Sequence, residues 1–243
     1  MPKAVSDTAL IAWMEALKIR ASPSVYVISV FIGPMGFLLF AKAMTPPGFD
    51  VGVRLVTGSL VFGLGLMSVN LLAQFILAER FNNEMKLVVA SPVHPLSYVG
   101  GVVVYSVAQS LITAAIILSF APLFGIDITL SFWLVPLVLL TAVSMTGIAI
   151  VVATWAPSLE VGGILANITG IFVVMLSPVY YPIERLPEWL RWVARFSPYT
   201  HAGEAIDRIL SGRGGFEREI VILAGITAVG ITIGVLGLRW RET

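Results

Sequence analysis

Six stretches of this chain run for 19 residues or more without a charged side chain, and nothing else constrains its fold as strongly. A bilayer core about 30 Å thick is crossed by roughly 20 apolar residues in a helix. Inside lipid every backbone N–H and C=O must find a partner within the protein, so these stretches read as helices rather than open strands. The expected spans are residues 22–44, 55–78, 98–125, 128–157, 161–183 and 220–238. Ser22-Pro23 opens the first with a serine cap and a proline in the first turn. Pro157 marks the end of the fourth, and Pro178 and Pro182 disturb the last turns of the fifth.

Composition agrees. Hydrophobic residues make up 58% of the 243 and charged ones 12%, against about 25% charged in soluble domains. A net charge of +1 gives no electrostatic case for nucleic acid. With no cysteine, disulfide and thiolate chemistry are excluded. The first 22 residues hold Asp7, Glu15, Lys18 and Arg20 and no continuous apolar core. No secretory signal is read there, and the chain is expected to begin where it does. Residues 7–21 read instead as an amphipathic helix, with Leu10, Trp13, Met14 and Leu17 at helical spacing and Asp7, Glu15 and Lys18 off that face. Such a helix suits the headgroup region.

An even number of spans puts both termini on one side. Cytoplasmic termini place seven Lys and Arg inside and eight outside, so the positive-inside rule is indecisive over the whole chain. Six of the eight outer ones lie in residues 184–219, which also carry six acids; without that segment the count is seven against two. Cytoplasmic termini are the orientation adopted. One membrane domain is expected over residues 1–243, with two substantial polar segments, 79–97 on the cytoplasmic side and 184–219 outside.

Several chemistries are missing. None of the four lysines follows a Gly-x-x-x-x-Gly phosphate loop. His94 and His201 stand alone, without a ligand partner at i+3 or i+4, and read as loop surface. No Gly-x-Ser-x-Gly elbow occurs. The span centres lack the ionisable groups that ion-coupled carriers keep there. No cofactor or metal is expected in this chain, and a transporter so built would draw its energy from a partner.

The cytoplasmic segment begins Glu79-Arg80, carries an apolar stripe of Phe81, Met85, Val88 and Val89, and stops at Ser91-Pro92. The outer segment carries Tyr181-Pro182, Leu186-Pro187, Trp189-Leu190, Ser197-Pro198 and Arg208. In order and spacing these resemble the ABC-2 type transporter permeases. Their second-to-third-span loop begins Glu-Arg and ends Ser-Pro, and their fifth span is followed by an aromatic-Pro-x-x-x-Leu-Pro-x-Trp-Leu signature. Asn83-Glu84-Met85-Lys86 stands where Gly-Thr-Leu-Glu is usual, and Ser197 replaces an Asn.

The resemblance implies an all-α fold of six spans, an interfacial N-terminal helix and re-entrant helices in the outer loop. It implies a multi-pass protein of a prokaryotic cell membrane, the permease of an exporter for drug-like, lipid or lipid-linked glycan cargo. The permease would act as a homodimer or beside a related permease. ATP and Mg would be bound by a separate ABC ATPase subunit. By resemblance Glu79, Arg80, Glu84, Met85, Leu87, Ser91 and Pro92 would couple to that ATPase. Tyr180, Tyr181, Pro182, Leu186, Pro187 and Trp189 would form an outer gate. The few polar residues expected along the path are Asn70, Gln74, Asn167, Thr169 and Ser177; for Asn70 and Gln74, plain helix–helix hydrogen bonding is an equal alternative. Gly230 and Gly234 read as a close-packing pair. Two other classes stay open: a membrane anchor that recruits an ATPase without transport, and an intramembrane enzyme, which the missing catalytic groups disfavour.

Overall fold

The chain is an all-α membrane protein. The structure, a computed structural model, describes residues 3–44, 52–176, 179, 183 and 186–237. Ten helices follow one another among these: α1 (Lys3–Ala21), α2 (Pro23–Ala43), α3 (Gly52–Phe81), α4 (Glu84–Ala90), α5 (Pro95–Phe120), α6 (Leu134–Trp155), α7 (Leu159–Leu176), α8 (Glu188–Phe196), α9 (Pro198–Leu210) and α10 (Glu217–Gly237). Helices over Pro23–Ala43, Gly52–Phe81, Leu96–Phe124 and Leu134–Trp155 are long and apolar enough to cross a membrane. Near their C-terminal ends the fifth and sixth expected spans include residues outside the described ones, 177, 178 and 180–182 in the fifth and 238 in the sixth.

Some boundaries differ from expectation. The fourth long helix starts at Leu134 rather than near 128, because Gly125 takes a left-handed turn (φ 68°) and Thr129 N–H bonds to Leu210 C=O at 2.8 Å, holding that stretch as a loop against α9. The second runs three residues further than expected, to Phe81. Two π turns interrupt the long helices, Ile28–Ile32 in α2 and Leu66–Leu71 in α3. Such single-turn insertions shift the register of the helical turns after them and recur at functional sites.

Helix α3 lies at the centre, packed by α2, α5, α6, α7 and α9. Two apolar cores stack along it. One gathers Leu60, Leu64, Ile117, Leu137, Met145, Tyr199 and Ile206; the other gathers Ile11, Leu72, Leu77, Val102, Ile150 and Ala153. A layer of hydroxyls separates them. Ser106 donates to Ser68 at 3.0 Å, Thr146 to Ser106 at 2.8 Å, and Ser68 meets Ser110 at 3.2 Å, all buried. With no hydrophobic drive between helices in lipid, such bonds and close contacts hold a bundle together.

Glycine provides the close contacts. A Cβ on Gly147 of α6 would lie 3.1 Å from the Gly230 carbonyl carbon of α10, and Ser144 bonds Thr227 one turn away. Gly230 therefore packs on α6; Gly234 lies in a part of α10 whose side chains are not described. At Gly101 of α5 a Cβ would come within 2.5 Å of Ile11, so α1 crosses α5 almost backbone to backbone.

Candidate functional site

Helix α1 buries its polar side. Ile11 and Glu15 face α5, while Leu10, Trp13, Met14 and Leu17 are exposed. In water that arrangement would leave an apolar row uncovered; against lipid headgroups and upper acyl chains the row is matched. Glu15, 3% exposed, and Lys18 reach Glu79 at the end of α3. Lys18 donates to Glu15 at 2.8 Å and also to Glu79, and the Tyr98 hydroxyl of α5 donates to Glu79 at 2.6 Å. Burial first, and the neighbouring Glu79 charge second, push the Glu15 carboxyl up to about 7, with Lys18 pulling the other way.

Arg80, next in sequence, turns to the opposite side. One guanidinium nitrogen donates to the carbonyls of Ala153, Thr154 and Ala156 at 3.0, 2.9 and 2.9 Å. These include the last carbonyls of α6, which have no partner within their own helix. The adjacent pair Glu79-Arg80 thus ties the end of α3 to α1, α5 and α6 together.

Beyond this clamp the chain changes character. Asn83 takes a left-handed conformation (φ 65°), turning the chain out of α3 into the seven residues of α4. Glu84, Lys86 and Leu87 are exposed, Leu87 at 74%. Ser91 adopts extended backbone, its hydroxyl returning to Val88 C=O at 2.6 Å, and exposed Pro92 ends the helix. The His94 ring caps α5 by accepting from Leu96 N–H at 3.2 Å, so this histidine has a structural task. The segment expected to meet a partner therefore has two parts: an inward-turned anchor (buried Glu79, half-buried Arg80) and a protruding helix (Glu84 to Ala90). Met85 sits on the protruding part.

At the other end of the bundle, Leu186 is buried and its carbonyl accepts from Arg191 Nε at 2.8 Å. Pro187 and Trp189 are exposed at the start of α8. Trp189, Trp192, Val193 and Phe196 form one exposed apolar face, whereas Ala194 is buried against the protein. Its small side chain is what permits α8 to lie close. The other expected gate residues, Tyr180, Tyr181 and Pro182, and the path residue Ser177, lie outside the described residues. His201 is not the surface residue its sequence context implied: it is 9% exposed, with Nε2 2.8 Å from Arg195 C=O.

Three expected path residues are brought together. Gln74 donates to Asn70 Oδ1 at 2.5 Å, Asn70 to Asn167 Oδ1 at 2.5 Å, and Asn167 to Gly163 C=O at 2.9 Å. This amide chain joins α3 to α7 where Gln74 and Asn167 are exposed, and Asn70 stands in the π turn. Thr169 is half-buried on α7 and outside the chain of bonds.

A search of curated proteins found no match for the chain. A family model described as ABC-2 type transporter matches residues 7–210, from the α1 helix through the end of α9. On that match the chain belongs to the ABC-2 type transporter family, as the membrane component of an ABC transporter.

Proposed function

We propose that this chain is the permease subunit of an ATP-driven exporter for hydrophobic or amphipathic cargo, powered by a separate ATPase that docks on α4. The supporting observation is the division of labour between Glu79-Arg80 and α4. A protruding helix can transmit force only if its base is stiff, and here the base is bonded to three other helices. A seven-residue helix with Leu87 74% exposed, flanked by Glu84 and Lys86, offers a partner an apolar knob within a charged rim. Two copies, or this chain with a related permease, would complete the path.

The cargo class follows from the few polar groups that could meet it. The exposed amide chain Asn70–Gln74–Asn167 is neutral, and it stands on an otherwise apolar surface. A bare ion would find no countercharge there, whereas a drug-like molecule, a lipid or a lipid-linked glycan would find hydrogen bonds and apolar walls.

The test is reconstitution in liposomes with the partner ATPase. Cargo-stimulated hydrolysis is expected, and Glu84→Lys and Leu87→Asp are expected to abolish it while leaving insertion and the thermal unfolding of the permease unchanged. Stimulation that is intact in both variants would refute docking on α4. An ATPase that binds but never responds to any amphipathic cargo would refute transport and leave a recruiting anchor.

A further inference from the structure

A cleft of about 910 Å³ opens between α8, α9 and α10, at the end of the bundle remote from α4. Its size is near the top of the range for small-molecule sites, about 300–1,000 Å³. One wall, from α8 and α9, carries the polar side chains Arg195, Thr200, His201 and Glu204 beside Phe196. The other is α10, which presents Arg218 and Glu219 at its start and then Ile222, Ile226 and Val229 on the same face, about 1.5 Å further per residue. The cleft is therefore charged at one end of α10 and apolar along it.

Three buried atoms lining it have no hydrogen-bond partner among the described residues: Glu219 Oε2, His201 Nδ1 and Thr200 Oγ1. Glu219 is 4% exposed. Their chemistry has a common sense. His201 Nε2 faces a carbonyl, which can only accept, so Nε2 carries the proton and Nδ1 of the neutral ring is an acceptor. A carboxylate oxygen is also an acceptor, and a threonine hydroxyl can be one. Buried acceptors left without donors are costly. A group with several N–H donors would satisfy them, and a primary ammonium carries three.

The charges are balanced. Two guanidinium-bearing residues, Arg195 and Arg218, line the cleft with two carboxyl-bearing ones, Glu204 and Glu219, and among the described residues none of the four is in an ion pair. Burial, and then the Glu219 charge, raise Glu204 above its ordinary value. A purely anionic amphipath would meet two carboxyls and a purely cationic one two guanidiniums. A zwitterion answers both pairs.

From this we infer that the cleft binds a phospholipid whose headgroup carries a phosphate and a primary ammonium. The ammonium lies among Glu219, His201 and Thr200, the phosphate at the arginines, and an acyl chain along Ile222, Ile226 and Val229. The inference is independent of cargo and ATPase, because it needs neither for its test.

The full chain, purified in mild detergent, is offered equal amounts of phosphatidylethanolamine, phosphatidylcholine and phosphatidylglycerol, and retained lipid is counted by native mass spectrometry. Retention of the ethanolamine lipid about ten-fold above the other two is expected, a difference typical of a satisfied buried polar group. Glu219→Gln and Thr200→Val should each bring it down to the phosphatidylcholine level, with an unchanged elution profile. Equal retention of all three lipids by the unaltered chain overturns the inference, whatever the variants do. Selectivity that survives both variants overturns its placement in this cleft. Displacement of the lipid by soluble phosphoethanolamine at similar concentration overturns the acyl-chain contact, and with it the lipid as occupant.

Discussion

The Tyr98 hydroxyl donates to Glu79 at 2.6 Å, 19 residues away in sequence and across the whole of α4. The two ends of the segment that carries the protruding helix are thereby closed on each other. Hydrogen bonds to buried charged groups contribute about 1.5–3 kcal/mol. Tyr98→Phe and Glu79→Gln should each lower unfolding stability in detergent by about that much, and the double variant should cost clearly less than the sum. Additive losses would show that the two residues act apart.

Arg80 supports the same region from the other side. Its three carbonyl partners at the end of α6 have no alternative donor within their helix. Arg80→Ala should cost about 2–4 kcal/mol, since it leaves buried acceptors unmet. Arg80→Lys should recover part of that, because an ammonium can reach a carbonyl without matching the planar guanidinium. Thermal unfolding of the purified chain reads both. A loss confined to ATPase stimulation, with stability intact, would move Arg80 from anchor to docking surface.

Glu15 makes the fold sensitive to pH. Its carboxyl is pushed from 4.5 up to about 7, first by burial and then by Glu79. Between those two pH values the folded chain therefore holds a proton that the unfolded chain has released. Stability from this group is full below about 4.5 and is lost as pH rises through about 7. The melting temperature should fall by several degrees between pH 5 and pH 8, and Glu15→Gln, which stays neutral, should flatten that slope. A variant with the unaltered slope would place the titration elsewhere.

Much of the bundle was legible in the sequence because lipid leaves so few options. Uncharged runs longer than a bilayer is thick can only be helices, and Ser91-Pro92 and Pro187 mark turns by backbone restriction alone. Glu79 and Arg80 were legible as a motif but not as an anchor, since their partners Lys18, Tyr98 and Ala153 are 61, 19 and 73 residues distant. The packing face of α1 was not legible for a related reason. Helical periodicity separates the Leu10–Trp13 row from Glu15 and Lys18, but it does not say which face meets the protein. Here the polar face does, because the bilayer accepts the apolar one. His201 showed no signal either: an isolated histidine looks the same in sequence whether it is exposed or buried against Arg195 C=O. The one available cue was the cluster of charges over residues 184–219, which balanced the positive-inside count and placed ionisable groups beside an apolar helix.

The crossing of α1 over α5 is decided at Gly101. A methyl group there would sit 2.5 Å from Ile11 Cβ and 2.9 Å from Thr8 C=O, and the second contact is with backbone that cannot rotate away. Gly101→Ala should displace α1, with a cost of about 1–3 kcal/mol for an overpacked contact. Because α1 carries Lys18, the displacement should also expose Glu79. Protease cleavage near Lys18 and Arg20 should become faster in the variant, while Gly36→Ala, where a Cβ meets nothing within 4 Å, should leave cleavage unchanged. Equal cleavage in all three proteins would mean that α1 accommodates the methyl group by sliding.

The amide chain Asn70–Gln74–Asn167 separates packing from transport. Interhelical hydrogen bonds in membranes average about 0.6 kcal/mol. If the chain serves only packing, Asn70→Leu and Asn167→Leu should have small effects on stability and none on function. Its exposure argues for more: Gln74 and Asn167 present unsatisfied amide capacity to any molecule outside α3 and α7. Either variant is therefore expected to shift the melting temperature by no more than about 2 °C, the equivalent of that weak bond in a domain of this size. Cargo-stimulated ATP hydrolysis should nonetheless fall by about ten-fold or more. Hydrolysis that tracks stability in these variants, with neither changing appreciably, would return the amides to the role of helix glue and leave the path to be sought elsewhere on the bundle.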